Sequence, residues 1–426
     1  MKRVVILCVW LFSVVAGHAQ LSLDECRRLA RENYPEIRQY DLVHQTEQYN
    51  LSNAARAWIP QIAFSAQATW QTDAPNFPKE LTGMLAQQGL EIPGLRKDQY
   101  KVALELNQTI WDGGKSVADK RIARAEAAEQ KTMTDVDLYE LEGRVDDLYF
   151  GILLLDERIA QTNLTLNLLR SNLEKVRALQ RNGVAMQSDA DVLEAELLSV
   201  GQQLIQFESS CDSYRRMLGI FIGQKVGDRK LQRPSAVQPL SGESARPELA
   251  MFAAKIDRLT AQEKMVKSSS MPRLGFFAQG YYGYPGLDYM QSMMNSDWSW
   301  NAMLCVKLSW NFGAYYTQKN NLNKLRISRQ QVEVQRDVFL FNMNLQAAQE
   351  NGDIARLRKA IADDDRIVAL RRSVREAAES KLRNGIIDTH DLLSKITDES
   401  TASMARSMRE IELLKAIYEY KHTINR

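Results

Sequence analysis

Few residues in this chain have the type and spacing to do chemistry, and none is arranged to break bonds. Trp111-Asp112-Gly113-Gly114-Lys115 comes nearest to a phosphate loop but lacks the spacing of one. Asp112 and the two glycines better serve to turn a strand into a helix. His18, His44, His390 and His422 show no metal-ligand spacing with one another. Cys26, Cys211 and Cys305 are scattered and odd in number, so they imply no disulfide framework; each is expected to fill a small apolar position. Met290, Met293 and Met294 could ligate Cu(I), although an external loop with some apolar cover is the plainer reading. Asp189 and Asp391 follow helix turns, where an aspartate commonly caps. No phosphate loop, nucleophile–base pair or metal cluster is visible, so neither a cofactor nor enzymatic activity is expected.

The elements that must position these residues occur twice. AARAWIPQIAFSAQATW at 54–70 is answered by VKSSSMPRLGFFAQGYY at 266–282. YKVALELNQTIWDGGK at 100–115 is answered by SWNAMLCVKLSWNFGA at 299–314, and RNGVAMQSDADVL at 181–193 by RNGIIDTHDLL at 383–393. The pairs keep their order about 200 residues apart, the mark of a tandem duplication. The expected organisation is a leader at 1–19, a first repeat at 20–228, a connector at 229–247 within a Gly- and Pro-containing break at 223–247, and a second repeat at 248–426.

Lys2 and Arg3 precede an apolar run from Val4 to Val15, and Gly17-His18-Ala19 offers small residues for cleavage, the pattern of a secretory signal. Setting Lys2 and Arg3 aside leaves 53 basic residues against 53 acidic ones. That balance argues against a nucleic-acid partner. No other apolar run is long enough to span a membrane as a helix, so membrane entry would have to be as β-strands.

From Leu138 to Val176 the apolar residues alternate steps of three and four: Leu138, Leu141, Val145, Leu148, Ile152, Leu155, Ile159, then Thr162 as the one polar intruder, Leu166, Leu169, Leu173 and Val176. This heptad pattern predicts helices packed side by side. The absence of proline extends the helix back to Lys115 and on to Arg181, roughly 100 Å at 1.5 Å per residue. Leu193, Leu197, Val200, Leu204, Phe207, Cys211, Tyr214 and Leu218 form the returning stripe. The second half repeats the layout from Tyr315 to Arg383 with weaker heptads. Each long helix ends at Arg-Asn-Gly, where a left-handed glycine should reverse the chain.

Four segments, near 60–71, 99–111, 272–283 and 298–311, alternate with period two and are each long enough to cross a bilayer as a tilted strand. Trp58, Trp70, Tyr100, Trp111, Tyr282, Trp298 and Trp310 sit near their ends, where membrane barrels carry aromatic girdles. Four strands cannot close a barrel, and an open edge cannot sit in lipid, so several chains would have to share one. Two chains give eight strands and three give twelve. An eight-stranded lumen is filled by side chains, so conduction favours three or more subunits.

The order LSLDEC, ARAWIPQI, IWDGGK and RNGVAMQSD, followed by the whole set again, resembles the TolC-like outer membrane efflux proteins of Gram-negative bacteria. The resemblance covers about residues 21 to 424. It implies a mainly α fold with membrane β-strands: a duplicated unit of strand pair and long helix hairpin, forming a homotrimeric twelve-stranded β-barrel in outer membrane lipid, continued by a periplasmic α-helical barrel. It further implies a passive conduit, opened when a periplasmic adaptor (membrane fusion) protein of an inner-membrane transporter docks on the hairpin tips. Those tips correspond to Gly183, Val184 and Ala185, and to Gly385, Ile386 and Ile387. In the best-known members aspartates ring the entrance, and a tyrosine and an arginine help hold it shut. Asp391 matches one aspartate and Ser394 stands at the second; Asp189 matches the acidic residue after the first tip. Leu382 occupies the tyrosine position and Ile387 the arginine position, so the polar latch is absent and other contacts must close a resting channel. The alternative reading is a periplasmic adaptor or other soluble coiled-coil scaffold, which would not need two pairs of lipid-length strands.

Overall fold

A computed structural model describes residues 20–89, 92–183, 185–235, 244–384 and 386–425. The expected leader, Val184, Gly385 and part of the connector lie outside the described residues. The chain runs α1 (Leu23–Asn33), a short 3-10 turn (Pro35–Arg38), α2 (Gln39–Arg56), β1 (Gln61–Trp70), α3 (Lys79–Gln87), β2 (Asp98–Trp111), α4 (Lys115–Arg181) and α5 (Gln187–Ile222). It continues through α6 (Pro247–Ser268), β3 (Arg273–Tyr284), α7 (Tyr289–Met294), β4 (Ser299–Ser309), α8 (Ala314–Arg383) and α9 (Thr389–Ile424). Both long helices are unbroken, α4 over 67 residues and α8 over 70. No helix among the described residues is long and apolar enough to cross a membrane.

The chain forms two compact units, and each draws on both repeats. One comprises Asp41–Lys131 and Phe252–Val334, with all four strands; the other comprises the described residues among 20–40, Thr132–Met251 and Gln335–Arg426.

In the first unit the strands form one antiparallel sheet in the order β1-β2-β3-β4. Its register keeps the even-numbered residues of every strand together. Phe64 lies opposite Leu104, Leu106 opposite Ala278, and Ala278 opposite Leu304. A one-residue slip at any pairing would turn one apolar row to the polar side, so the alternation fixes the register. The one irregularity is a bulge between Thr109 and Trp111. Within the sheet β1 and β4 each have a single partner.

In the helical unit the heptad stripe of α4 is buried nearly throughout. Leu138, Leu141, Val145 and Ile152 pack with Leu23, Cys26 and Ala30 of α1, with Cys211 and Leu218 of α5 and with Ile411 of α9. Further along, Leu166, Leu169, Leu173 and Val176 meet Ala190, Leu193 and Val200 of α5, Ala378 of α8, and Leu392 and Ile396 of α9. Two expectations fail. Cys305 is exposed on β4, whereas Cys26 and Cys211 are buried as expected. Burial pushes the Cys26 thiol up to about 12, which leaves it inert. Tyr214, expected in the α5 stripe, is exposed and lies against Gly151, whose lack of a side chain makes room for its ring. Met290 and Met294 are exposed on the short helix α7.

Candidate channel surface and entrance

The sheet presents two chemically distinct faces. Ile62, Phe64, Val102, Leu104, Leu304, Val306 and Leu308 of the even face are exposed, and Trp300 reaches 82% exposure. On the odd face Ala103, Gln279 and Tyr281 are buried. Lys101 Nζ donates to Gln279 Oε1 at 2.9 Å and lies 4.4 Å from the Tyr281 ring centroid; Gln279 Nε2 donates to Glu105 Oε1 at 2.7 Å. An apolar face left to its surroundings and a polar face organised by hydrogen bonds are the inverse of a soluble sheet on a core.

All seven aromatic residues expected at the strand ends, Trp58, Trp70, Tyr100, Trp111, Tyr282, Trp298 and Trp310, are exposed. At one end Tyr100 stacks on Trp298 with centroids 5.8 Å apart, and Tyr282 lies 5.4 Å from Trp298 and 5.0 Å from Trp300. At the other end Trp310 lies 4.8 Å from Phe312, and its indole N–H donates to the Ser270 carbonyl at 3.0 Å. From Tyr100 to Trp111 a strand advances about 36 Å, which at the tilt of a membrane barrel spans about 25–30 Å of height.

The passage from β2 into α4 is built by Asp112. Its carboxylate accepts from the Gly114 N–H at 2.9 Å, from the Ser116 N–H at 2.6 Å and from the Ser116 hydroxyl. Gly113 and Gly114 adopt φ of 71° and 85°, and a Cβ on Gly113 would lie 2.7 Å from Met271 Cβ. The phosphate-loop decoy is therefore a structural corner.

The hairpin tips separate the candidate entrance residues. Gly183 turns the first hairpin with φ 75°. The half-buried Asp189 accepts from the Met186 N–H at 2.8 Å and so caps α5. At the second tip the cap is Asp388, whose carboxylate accepts from the Asp391 N–H at 2.7 Å. This corrects the expectation that Asp391 caps there: its side chain is exposed, as is Ser394. Ala185, Leu382 and Ile387 are half-buried and pack against the second apolar cluster, while Gly183 and Ile386 are exposed.

Behind the tips lies a set of ion pairs that sequence reading missed. Lys175 of α4 reaches Glu379 of α8 at 3.3 Å, Glu379 also receives Arg375, and Arg375 pairs with the buried Glu399 of α9. Arg372 reaches the same Glu399 at 3.2 Å. Burial opposes charge on Arg375 and Glu379. Their mutual hydrogen bond, with Glu399 and Lys175 beside them, outweighs it, pushing the guanidinium further up and the Glu379 carboxyl below its usual range. Also missed was a cluster far from the tips. His422 stacks on Tyr139 with centroids 4.1 Å apart, and Arg246 lies 4.9 Å from the Tyr139 ring and donates to the His422 carbonyl at 3.2 Å. Burial, then the Arg246 charge, pushes the His422 imidazole down to about 4. Residues so distant in sequence leave no spacing to read.

The family model for outer membrane efflux proteins matches residues 27–223. No curated protein has a matching sequence. Among solved structures, the outer-membrane channel OprN superposes with a TM-score of 0.69 at 14% identity, covering 94% of this chain and 89% of that one. VceC of Vibrio cholerae gives 0.67 at 14% identity, covering 94% and 95%. The open-state MtrE channel of Neisseria gonorrhoeae gives 0.66 at 14% identity, covering 94% and 88%. At that identity the likeness is one of fold. The family pattern is thus carried by the first repeat, and the fold of these outer-membrane channels by nearly the whole chain.

Proposed function

We propose that three copies of this chain form one outer membrane channel, a passive conduit that serves an inner-membrane transporter through a periplasmic adaptor. The observation that carries the proposal is the sheet: four lipid-length strands with an exposed apolar face, an organised polar face, and a single partner for each outer strand. Pairing β4 of one copy with β1 of the next satisfies both edges, and three copies close a twelve-stranded barrel with a water-filled interior. The helix hairpins then surround the periplasmic entrance. Gly183, Val184, Ala185, Gly385 and Ile386 present the tips to the adaptor, and Asp189, Asp391 and Ser394 border the opening. Leu382 and Ile387 support an apolar closure in place of a polar latch. The conduit does no chemistry of its own.

The test is the mass and location of the native protein. The full-length protein, extracted from the outer membrane fraction with detergent, is expected at three times the chain mass by native mass spectrometry. Recovery in the soluble periplasmic fraction, or a detergent-solubilised monomer, would sink the shared barrel.

A further inference from the structure

The odd face of the sheet carries four charged side chains: Lys101, Glu105, Arg273 and Lys307. Lys101 and Glu105 are joined through Gln279 and balance one another. Arg273 and Lys307 are different. Both are exposed, and neither side chain has an ion pair or hydrogen bond among the described residues. The register sets Arg273 opposite Ser309 and Lys307 opposite Gly275. They are therefore diagonal neighbours on adjacent strands, about 7–8 Å apart at the backbone. Both line a cavity of about 720 Å³ on this face. The carboxylates around that cavity are already engaged: Asp112 by Gly114 and Ser116, Asp119 by Lys115 at 2.7 Å, and Glu105 by Gln279. Asp112 keeps its charge, its partners being neutral, so Arg273 and Lys307 outnumber it and leave a net positive charge here. The leucines and valine of β4 alternate with Lys307 onto the opposite face, so the two cations cannot serve a lipid headgroup at this position.

We infer that Arg273 and Lys307 form an anion-attracting girdle on the inner wall of the channel, and that this level of the conduit favours negatively charged solutes. The inference rests on the channel reading above. In a trimer the girdle holds six cations at one level of a narrow, low-dielectric wall, the arrangement by which pores concentrate anions.

Cys305 supplies a reporter. It is exposed, shares the odd face, and stands two residues before Lys307 on β4, whereas Cys26 and Cys211 are buried. The experiment labels the full-length protein in outer membrane vesicles with an anionic (sulfonatoethyl) and a cationic (trimethylammonioethyl) methanethiosulfonate of similar size. Each rate is normalised to free cysteine, and the Cys305→Ser protein gives the background. Taking the ratio on one thiol cancels its intrinsic reactivity. The anionic reagent is expected to be favoured roughly tenfold at low salt. The ratio should fall toward one in R273Q/K307Q, and should fall likewise for the unaltered protein at about 1 M salt, where charges are screened beyond a few ångströms. The salt arm needs no variant, so poor folding of the double substitution does not spare the inference. A ratio near one in the unaltered protein, or one that neither salt nor the double substitution lowers, overturns the girdle while leaving the channel intact. If neither reagent reaches Cys305 until the protein is unfolded, the odd face does not line a lumen and the channel reading itself fails.

Discussion

Thr162 occupies an apolar heptad position, is 1% exposed, and its hydroxyl has no hydrogen-bond partner among the described residues. An unmet buried hydroxyl costs about 1–3 kcal/mol, and valine has nearly the same shape. Thr162→Val is therefore expected to raise thermal stability, by about 1 kcal/mol, in a melt followed by circular dichroism; a lower midpoint would show that the hydroxyl has a function there. His422 gives a pH dependence. Its folded value lies near 4 against an ordinary 6.5, so the unfolded chain binds the extra proton between those values. Stability from this site is complete above pH 6.5 and is lost as pH falls toward 4. The midpoint should drop across that window in the natural protein and drop less in His422→Gln; identical slopes would remove His422 as the cause. Thr162 was legible as an intruder in an apolar run. His422 was not, because Tyr139 and Arg246 come from remote parts of the chain.

The elements were the most legible part of the sequence, and the reason is length. Sustained heptads and the absence of proline placed α4 at Lys115–Arg181, and period-two alternation placed all four strands to within a residue or two of their ends. The second hairpin read as weaker because polar groups stand where the first has leucine. Asp364 lies in the buried stripe between Leu357 and Val368 and pairs with Arg409, and Glu399 is buried against Arg375. Paired charges can fill a helix interface without leaving an apolar period. The bulge between Thr109 and Trp111 also escaped notice. It explains why matching Trp111 to Trp310 sets Tyr100 of the apolar face beside Ser299 of the polar one: the first copy carries one extra residue. At the tips, Asp189 holds a backbone N–H whereas the Asp391 side chain is exposed and free of such a duty. Asp189→Asn should thus cost about 0.5–1 kcal/mol of stability. Asp391→Asn should cost under about 0.5 kcal/mol, yet alter cation block of the purified channel in a planar bilayer. Unchanged block in both variants and in the pair would assign these aspartates to the fold alone.

For the whole molecule, the duplication foretold that one unit is built twice but not how the copies divide their labour. Each compact unit takes segments from both repeats, and β2 of the first copy pairs with β3 of the second. Such mixing follows from strands that come in pairs too small to stand alone, and no local pattern announces it. The candidate site was legible where it is periodic, in the two faces of the sheet and its aromatic ends. It was illegible where it depends on subtraction, as at Arg273 and Lys307, whose importance lies in the partners they lack.

The two outer strands have a further consequence. A lone chain shows water the bare backbone of β1 along one side and of β4 along the other, above an apolar face already exposed. Such edges recruit any strand they meet. On the shared-barrel proposal, the chain is a hazard to itself and its neighbours until its copies arrive. Correct folding therefore depends on supply: the yield of sound protein should climb steeply with the number of chains made together, and stragglers left over should feed aggregates and proteases in place of a reserve of idle subunits.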